Sequence, residues 1–334
     1  MNNKKYPFII AEIGVNHNGS LDRAKKLINF ASSRGINAVK FQFFNSKNIV
    51  TSNTSLAPYQ KINSKIKTQF EMLKKYELNL EGHISLKNYC KKRNIEYMTS
   101  FFDVDSINYH KILNLKRLKI PSGELTNIPY LEKIAGINKQ ILLSTGMSNL
   151  KEIKFAMNTI FRINPNHKNN LVIMQCTSQY PTEFKDVNLN VLKTYSKMGY
   201  DTGFSDHTLG YEASILATAL GAKFIEKHIT VNNNLSGPDH KSSLSLKDFD
   251  VFLKKISQTK ELLGTSEKKP TKDEIINSNF VRKKIIAKKE INIGEKFTSK
   301  NLITKRSKYG TDSIYWNKLI GKKSKKYYKK DQYV

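Results

Sequence analysis

The feature that most constrains the fold is a regular alternation of short apolar runs and amphipathic helical segments between residues 7 and 262. Eight apolar runs predict eight β-strands, and a helical pattern fills each gap between them. Strands separated by helices pair in parallel, so eight such units close most naturally into a (β/α)8 TIM barrel. The predicted strands are residues 8–14, 38–44, 97–102, 118–123, 140–146, 171–177, 202–205 and 223–229.

Polar residues stand at the carboxyl end of nearly every one of these apolar runs. Glu12 follows the first run, Lys40 and Gln42 interrupt the second, and Glu226 and His228 close the eighth. A buried parallel strand is normally an almost continuous apolar run. A polar end on each strand of a series therefore predicts one shared pocket, at the face where barrel enzymes carry their active sites.

The length of the chain predicts more than the barrel. Its 334 residues suit a TIM barrel followed by a small appendage. We predict a catalytic barrel over residues 1–263, a polar linker over residues 264–280 and a small β-rich domain over residues 281–334. The strand-like runs 284–288 and 302–306 indicate the last of these.

Composition limits the class of protein. No run approaches the ~18 apolar residues of a membrane span, and the N-terminal residues 1–5 lack the apolar core of a signal peptide. Cys90 and Cys176 are too few for a disulfide framework, and their spacing is not that of a zinc site. We therefore expect a cytoplasmic protein with no membrane partner.

The formal net charge of +29 raises the question of nucleic acid. The lysines are spread along the chain rather than gathered in one stripe, so we expect no nucleic-acid partner. A basic scaffold for RNA is the alternative, and a salt-dependent binding assay would test it. An anionic small-molecule substrate is compatible with this charge.

Two histidines predict a metal site. His207 and His228 end the neighbouring seventh and eighth strands, so both imidazoles can reach one ion. Two histidines completed by water and substrate oxygens suit Mn²⁺, with Mg²⁺ and Co²⁺ as alternatives, whereas a structural zinc site needs four protein ligands.

The chain resembles the bacterial sialic acid synthases, a family of nonulosonate synthases that use phosphoenolpyruvate. The resemblance covers almost the whole chain, and its C-terminal part (INIGEKFTSKNL and KRS) is similar to the antifreeze-like, or SAF, domain of these enzymes. The matching segments of the barrel, in order, are residues 8–20 (FIIAEIGVNHNGS), 38–42 (AVKFQ), 119–127 (KIPSGELTN), 141–147 (ILLSTGM), 176–182 (CTSQYPT), 203–210 (GFSDHTLG), 221–228 (GAKFIEKH) and 236–243 (SGPDHKSS).

The resemblance implies a transferase reaction. Phosphoenolpyruvate would condense through its C3 with the aldehyde of an N-acetylated amino sugar, water would attack C2, and phosphate would leave by C–O cleavage. The expected acceptor is N-acetylmannosamine and the expected product N-acetylneuraminate. The alternative acceptor is a diacetamido trideoxy hexose, which would give N,N'-diacetyllegionaminate.

The resemblance also implies a role for individual residues. Glu12 would act at C2 of the donor, and the metal would bind to His207 and His228. The phosphoenolpyruvate-binding residues would be Lys40, Ser100, Lys119, Ser122, Ser144, Ser178 and Ser205. The sugar-binding residues would be Gln42, Asn63, Tyr180, Asp239 and Arg306.

Arg306 carries a further implication, because in the resembling family the antifreeze-like domain reaches across a dimer. We therefore expect a domain-swapped homodimer in which Arg306 touches the acyl group of the partner's sugar. Two alternatives come from other classes. One is a Schiff-base pyruvate aldolase with Lys119 or Lys40 as nucleophile, and the other is a non-catalytic binding module.

Overall fold

The computed structural model describes residues 7–56 and 66–334. The chain divides into two compact units, Met1–Gly264 and Thr265–Val334. None of the helices in the described residues is long and apolar enough to cross a membrane.

The first unit is a closed barrel of eight parallel strands, which confirms the predicted fold class. Consecutive strands pair in sequence order, and the first strand also pairs with the eighth. A two-residue strand, β9 (Leu244–Ser245), pairs in parallel with the end of the eighth strand. The barrel strands are β1 (Phe8–Gly14), β2 (Ala38–Phe43), β3 (Glu96–Phe101), β4 (Arg117–Ile120), β5 (Gln140–Ser144), β6 (Leu171–Cys176), β7 (Asp201–Asp206) and β8 (Phe224–Thr230).

Helices occupy the connections between the strands. The side chain of Ser20 accepts a hydrogen bond from the Arg23 amide and caps the start of the first of them. The helices of this unit are α1 (Leu21–Ser33), α2 (Ser46–Ile49), α3 (Gln69–Tyr76), α4 (Leu80–Lys92), α5 (His110–Leu113), α6 (Ile128–Ala135), α7 (Leu150–Ile163), α8 (Val191–Lys197), α9 (Glu212–Ala219) and α10 (Leu246–Leu263).

The segment 45–81, which follows β2 and is mostly polar in sequence, contains helices α2 and α3 and the beginning of α4. Helix α3 begins with a capping box: Thr68 and Glu71 each accept a hydrogen bond from the other's backbone amide. This local signal fixes the helix although the surrounding segment is polar.

The interior of the barrel is layered, because successive side chains of a strand point alternately inward and outward. The lower inward layer is apolar and includes Ile10, Ala38, Met98, Leu142, Met174 and Phe224. Two residues further along the same strands stand Glu12, Lys40, Ser100, Ser144, Cys176 and Glu226, all buried. The apolar layer therefore forms a floor, and the polar side chains project above it at the carboxyl ends of the strands.

The second unit is small and β-rich. Strands β10 (Lys283–Ala287) and β11 (Leu302–Arg306) pair antiparallel, and a short helix, α12 (Trp316–Leu319), follows. Its core consists of Ile285, Ala287, Ile291, Phe297, Leu302 and Tyr328. Helix α11 (Lys272–Val281) overlaps the predicted linker over residues 264–280, and a capping box of Thr271 and Glu274 starts it.

Candidate functional site

A cavity of about 610 Å³ opens at the carboxyl ends of the barrel strands. It is lined by Glu12, by both histidines and by all seven residues predicted to bind phosphoenolpyruvate. Three of the predicted sugar-binding residues, Gln42, Tyr180 and Asp239, line it as well. The barrel thus brings together side chains from all eight strands, and these residues are up to 216 positions apart in the sequence.

Two lysines and two glutamates alternate above the apolar floor. The Nζ atom of Lys40 lies 2.9 Å from Glu12 Oε2 and 3.7 Å from Glu226 Oε2. The Nζ atom of Lys119 lies 2.9 Å from Glu226 Oε1. All four side chains are nearly fully buried, so each charge depends on the others for compensation.

The two glutamates of this cluster differ in acidity. Burial raises the pKa of Glu12 to about 7, although Lys40 opposes the effect. Burial would also raise the pKa of Glu226, but Lys119 and Lys40 outweigh it and lower this pKa to about 2. Glu226 is thus a fixed anion between two cations, whereas Glu12 can exchange a proton near neutral pH.

Hydroxyl groups surround the two ammonium groups. Lys40 Nζ donates to Ser100 Oγ at 3.2 Å, and Lys119 Nζ donates to Ser205 Oγ at 3.2 Å. Ser205 Oγ in turn lies 3.4 Å from Ser144 Oγ. Cationic and hydroxyl donors converging on one cavity are the chemistry that holds phosphate and carboxylate groups.

Ser122 and Ser178 face each other across a glycine. The Gly146 amide donates to Ser122 Oγ at 3.0 Å. A Cβ atom at Gly146 would lie 2.7 Å from Ser122 Oγ and still closer to Ser178 Oγ. Glycine at this position therefore leaves room for both hydroxyl groups to face the cavity.

The predicted metal ligands lie side by side. The imidazole centroids of His207 and His228 are 5.7 Å apart. His207 Nδ1 is 2.8 Å from the Thr177 carbonyl oxygen, which fixes the ring and leaves Nε2 toward the cavity lining. Burial holds the pKa of His228 well below its usual range, so this imidazole is neutral and can act as a ligand.

These residues fit a divalent cation. The buried Nδ1 atom of His228 has no hydrogen-bond partner among the described residues, and Asp239 Oδ2 lies 3.9 Å from it. Within the described part of the chain, no group of three or more His, Cys, Asp or Glu side chains is arranged to hold a metal. A cation here would therefore have two histidine ligands and take its remaining ligands from water or substrate.

Tyr180 and Asp239 approach the histidines from the loops. The Tyr180 ring centroid is 4.1 Å from that of His207. Burial raises the pKa of Asp239 to about 6. The Asp239 carbonyl accepts hydrogen bonds from the Ser243 and Ser242 hydroxyls, and Asn16 Nδ2 donates to Ser243 Oγ at 2.8 Å. The loop after β1 thus anchors the loop that carries Asp239.

The other two predicted sugar-binding residues are Asn63 and Arg306. Asn63 falls within residues 57–65, outside the described residues. Arg306 is the last residue of β11 in the second unit, where its side chain is exposed.

Sequence reasoning missed two groups of the site. The sequence marks Glu226 only as a polar strand end, although its carboxylate contacts both lysines. The thiol of Cys176 lines the cavity, and its Sγ lies 3.8 Å from His207 Nδ1. Burial raises the pKa of Cys176, but His207 and Lys119 outweigh this and lower it. The signal that could have identified Glu226 and Cys176 is their spacing, two residues beyond an inward-facing apolar residue.

The sequence pattern of the NeuB family matches residues 27–268. The chain belongs to the NeuB family. It is 44% identical over 332 residues to the N,N'-diacetyllegionaminic acid synthase of Campylobacter jejuni, covering 99% of each chain. It is 39% identical to the N,N'-diacetyllegionaminic acid synthase of Legionella pneumophila, covering 94% of this chain and 89% of the relative.

A solved structure agrees with this membership. The N-acetylneuraminic acid synthetase of Leptospira borgpetersenii, in complex with citrate, matches with a TM-score of 0.71 and 31% identity, over 83% of this chain and 92% of the other. The predicted family is confirmed, and this NeuB-family chain is an enzyme of the nonulosonate synthase class that acts on small molecules.

Proposed function

We propose that this enzyme condenses phosphoenolpyruvate with a diacetamido trideoxy hexose to form N,N'-diacetyllegionaminate. The observation that carries the proposal is the single cavity in which Glu12, Lys40, Lys119 and five serines come together. The two Campylobacter and Legionella relatives named N,N'-diacetyllegionaminic acid synthases support this acceptor over N-acetylmannosamine, which the sequence alone had favoured.

The reaction would form one carbon–carbon bond and break one carbon–oxygen bond. C3 of phosphoenolpyruvate bonds to the aldehyde carbon of the sugar, whose oxygen takes up a proton and becomes a hydroxyl. Water adds to C2, and the bond from C2 to the phosphate oxygen breaks. Atoms balance as one nine-carbon 2-keto acid and one inorganic phosphate.

Lys40 and Lys119 would hold the anionic donor, with the serine hydroxyls as further donors. Glu226, ionised between the two lysines, would keep both protonated and oriented. Glu12, with its pKa near 7, would stabilise positive charge developing at C2 and accept the proton of the attacking water.

His207 and His228 would hold a divalent cation, Mn²⁺ by preference and Mg²⁺ or Co²⁺ otherwise. When bound, such a cation would supply Lewis-acid polarisation of the sugar aldehyde. Tyr180, Gln42 and Asp239 line the same part of the cavity and would orient the acceptor beside it. The domain-swapped dimer, the antifreeze-like identity of the second unit and the cytoplasmic location stay predictions.

The Schiff-base alternative is less well supported. A lysine that attacks a carbonyl must lose its proton, which requires a lowered pKa. Burial would lower the pKa of Lys40, but Glu12 and Glu226 outweigh it and raise that pKa. Lys119 is likewise paired to a carboxylate, Glu226, at 2.9 Å. Both ammonium groups are therefore suited to binding an anion.

The experiment that tests the proposed function uses the purified protein, Mn²⁺ and phosphoenolpyruvate labelled with ¹⁸O in its bridging oxygen. Each candidate sugar is added separately, and the products are identified by mass. The proposal expects N,N'-diacetyllegionaminate together with ¹⁸O-labelled phosphate. Unlabelled phosphate would contradict C–O cleavage, and no product from either sugar would overturn the proposal.

A further inference from the structure

One side of the cavity is apolar, in contrast to its ionic base. Seven side chains that line it belong to one hydrophobic cluster, which we call the apolar wall: Val15, Phe44, Ile49, Met72, Leu73, Tyr76 and Phe102. They follow β1, β2 and β3 or lie on helices α2 and α3. The cluster is separate from the main core of the barrel.

Packing and a capped helix hold the side chains of the apolar wall in place. The rings of Phe44 and Phe102 pack edge to face, with centroids 6.5 Å apart and an interplanar angle of 88°. Met72 and Leu73 are held by helix α3, whose first turn the Thr68–Glu71 capping box fixes. Phe44 and Met72 are buried, while Leu73 and Phe102 are half-buried and remain open to the cavity.

The chemistry of the wall differs from that of the rest of the cavity. Apart from the phenol of Tyr76, its side chains carry no strong hydrogen-bond donor or acceptor. A sugar hydroxyl placed against them would lose its hydrogen bond to water without replacement. A methyl group at the same place would gain by leaving water.

The cavity has two chemically different parts, an ionic base and the apolar wall, and each part suits one of the two substrates. Lys40, Lys119 and the serines offer what a phosphate and a carboxylate need, and the histidines lie beside them. An acceptor with its aldehyde toward this base extends its remaining carbons toward the mouth of the cavity, where the wall lies over the ends of β1 to β3.

We infer that the apolar wall selects the acceptor: it receives the carbons remote from the aldehyde and favours sugars that carry a deoxy methyl group there over sugars that carry a hydroxyl. The inference rests on the proposed function. A hydrophobic surface rejects an added hydroxyl by about a hundredfold, so we expect kcat/KM for 2-acetamido-2,6-dideoxymannose to exceed that for N-acetylmannosamine by about this factor.

The test measures phosphate release by wild-type enzyme and variants with three sugars: the diacetamido trideoxy hexose, N-acetylmannosamine, and 2-acetamido-2,6-dideoxymannose. The third differs from the second only by loss of the terminal hydroxyl, and the wild type should prefer it. Leu73→Gln, which places an amide on the half-buried part of the wall, should reduce the preference by about tenfold or more, mainly through the KM of the deoxy sugars.

Three further variants show whether a change in preference comes from the apolar wall. Ile49→Gln changes the wall from a different helix and should act in the same direction, so a folding defect of one variant does not decide the result. Leu73→Met stays apolar and should retain the preference. Leu262→Gln makes the same chemical change at a residue that is 86% exposed on α10 and should leave all three rates unchanged.

The outcomes separate the inference from the proposed function. If the wild type turns over none of the sugars with phosphoenolpyruvate, the proposed function fails and the inference with it. If it makes the 2-keto acid but both glutamine variants keep the wild-type preference, or if the wild type prefers N-acetylmannosamine, the inference alone is overturned.

Discussion

Asp206 and Lys227 form an ion pair, with 3.1 Å between Oδ2 and Nζ and both side chains completely buried. The two residues are register partners on β7 and β8. Each directly precedes one of the two site histidines, His207 and His228. Lys227 Nζ also donates to the Thr208 carbonyl at 2.6 Å, and the Asp206 carboxylate accepts from the Thr208 amide. The pair therefore fixes the strand ends that carry both imidazoles.

Lys227→Met should destabilise the fold strongly, because it leaves the Asp206 carboxylate buried without its cation. Losing one partner of a buried ion pair costs about 3–5 kcal/mol. The matched control is Lys223→Met, since Lys223 directly precedes β8 and pairs with Asp201 at the start of β7, where both side chains are exposed. Exposed pairs contribute about 0–1 kcal/mol. Denaturant unfolding at neutral pH measures the stability of both variants. Equal losses of unfolding free energy would contradict a stabilising role specific to the buried Asp206–Lys227 pair.

The sequence predicted the barrel well because the alternation of apolar runs and helices is a local signal. All eight strands were found to within a few residues, and their polar carboxyl ends predicted the shared cavity. Among the described residues of the barrel, every residue that the family resemblance implied lines the cavity.

What the sequence could not predict are pairings that only the closed barrel creates. Glu226 bridges Lys40 and Lys119, which lie on β2 and β4. No local sequence pattern predicts that these side chains come into contact. Helix α11 was missed for a different reason. It buries none of its residues, so the apolar periodicity used to recognise helices is absent.

Glu12→Gln should lower kcat by ~10² or more while the affinity for phosphoenolpyruvate changes little, because the charge is needed mainly in the transition state. Steady-state kinetics and donor binding measured on the same samples check this. A tenfold weaker donor affinity with unchanged kcat would instead assign Glu12 to binding.

The pH dependence follows from the pKa of Glu12, which burial raises from 4.5 to about 7. As a base, Glu12 must be ionised, so kcat should rise with pH through about 7. Stability should change in the opposite direction. Between these two values the folded protein keeps a proton that the unfolded chain has released, so the contribution of Glu12 to stability falls as pH rises. Unfolding free energies at pH 5 and pH 8 should show a smaller fall in Glu12→Gln.

Replacing either histidine should weaken metal binding without unfolding the protein. His207→Ala and His228→Ala each remove one of two imidazole ligands, so the affinity for Mn²⁺ should fall at least tenfold, as even loss of an outer-shell partner of a ligand costs about 10–100-fold. Titration followed by electron paramagnetic resonance measures binding directly. His167→Ala is a control, because His167 is a buried histidine that bonds to the Ala135 carbonyl. Full activity of a chelator-stripped wild type would refute the site.

Borohydride should not trap a covalent adduct between the enzyme and pyruvate. Lys40 and Lys119 are each paired to a buried carboxylate at 2.9 Å, an arrangement suited to binding an anion rather than to attacking a carbonyl. Mass spectrometry after reduction in the presence of pyruvate checks for the adduct. A stable adduct on either lysine would favour the aldolase over the synthase.

Arg306→Ala should raise the KM of the sugar more than that of phosphoenolpyruvate, if the enzyme is a domain-swapped dimer in which Arg306 reaches the partner's acceptor. A guanidinium can hydrogen-bond an acyl carbonyl while staying protonated at every pH of the assay. Lys305→Ala, one position earlier on the same strand, is the control and should change neither constant. Steady-state kinetics at varied sugar concentration measures the difference.

Mixing two impaired variants tests whether Arg306 of one chain completes the site of the other chain. In a hybrid of Glu12→Gln and Arg306→Ala chains, a swapped arrangement creates one site that combines an intact Glu12 with an intact Arg306 from the other chain. With random exchange, half of the dimers are hybrids with one restored site of two, so activity below the sugar KM should recover to about a quarter of the wild-type value. Exchange is verified independently with differently tagged chains. If exchange is complete and activity does not exceed the mean of the separate variants, Arg306 does not complete the partner's site and the domain-swapped arrangement is wrong.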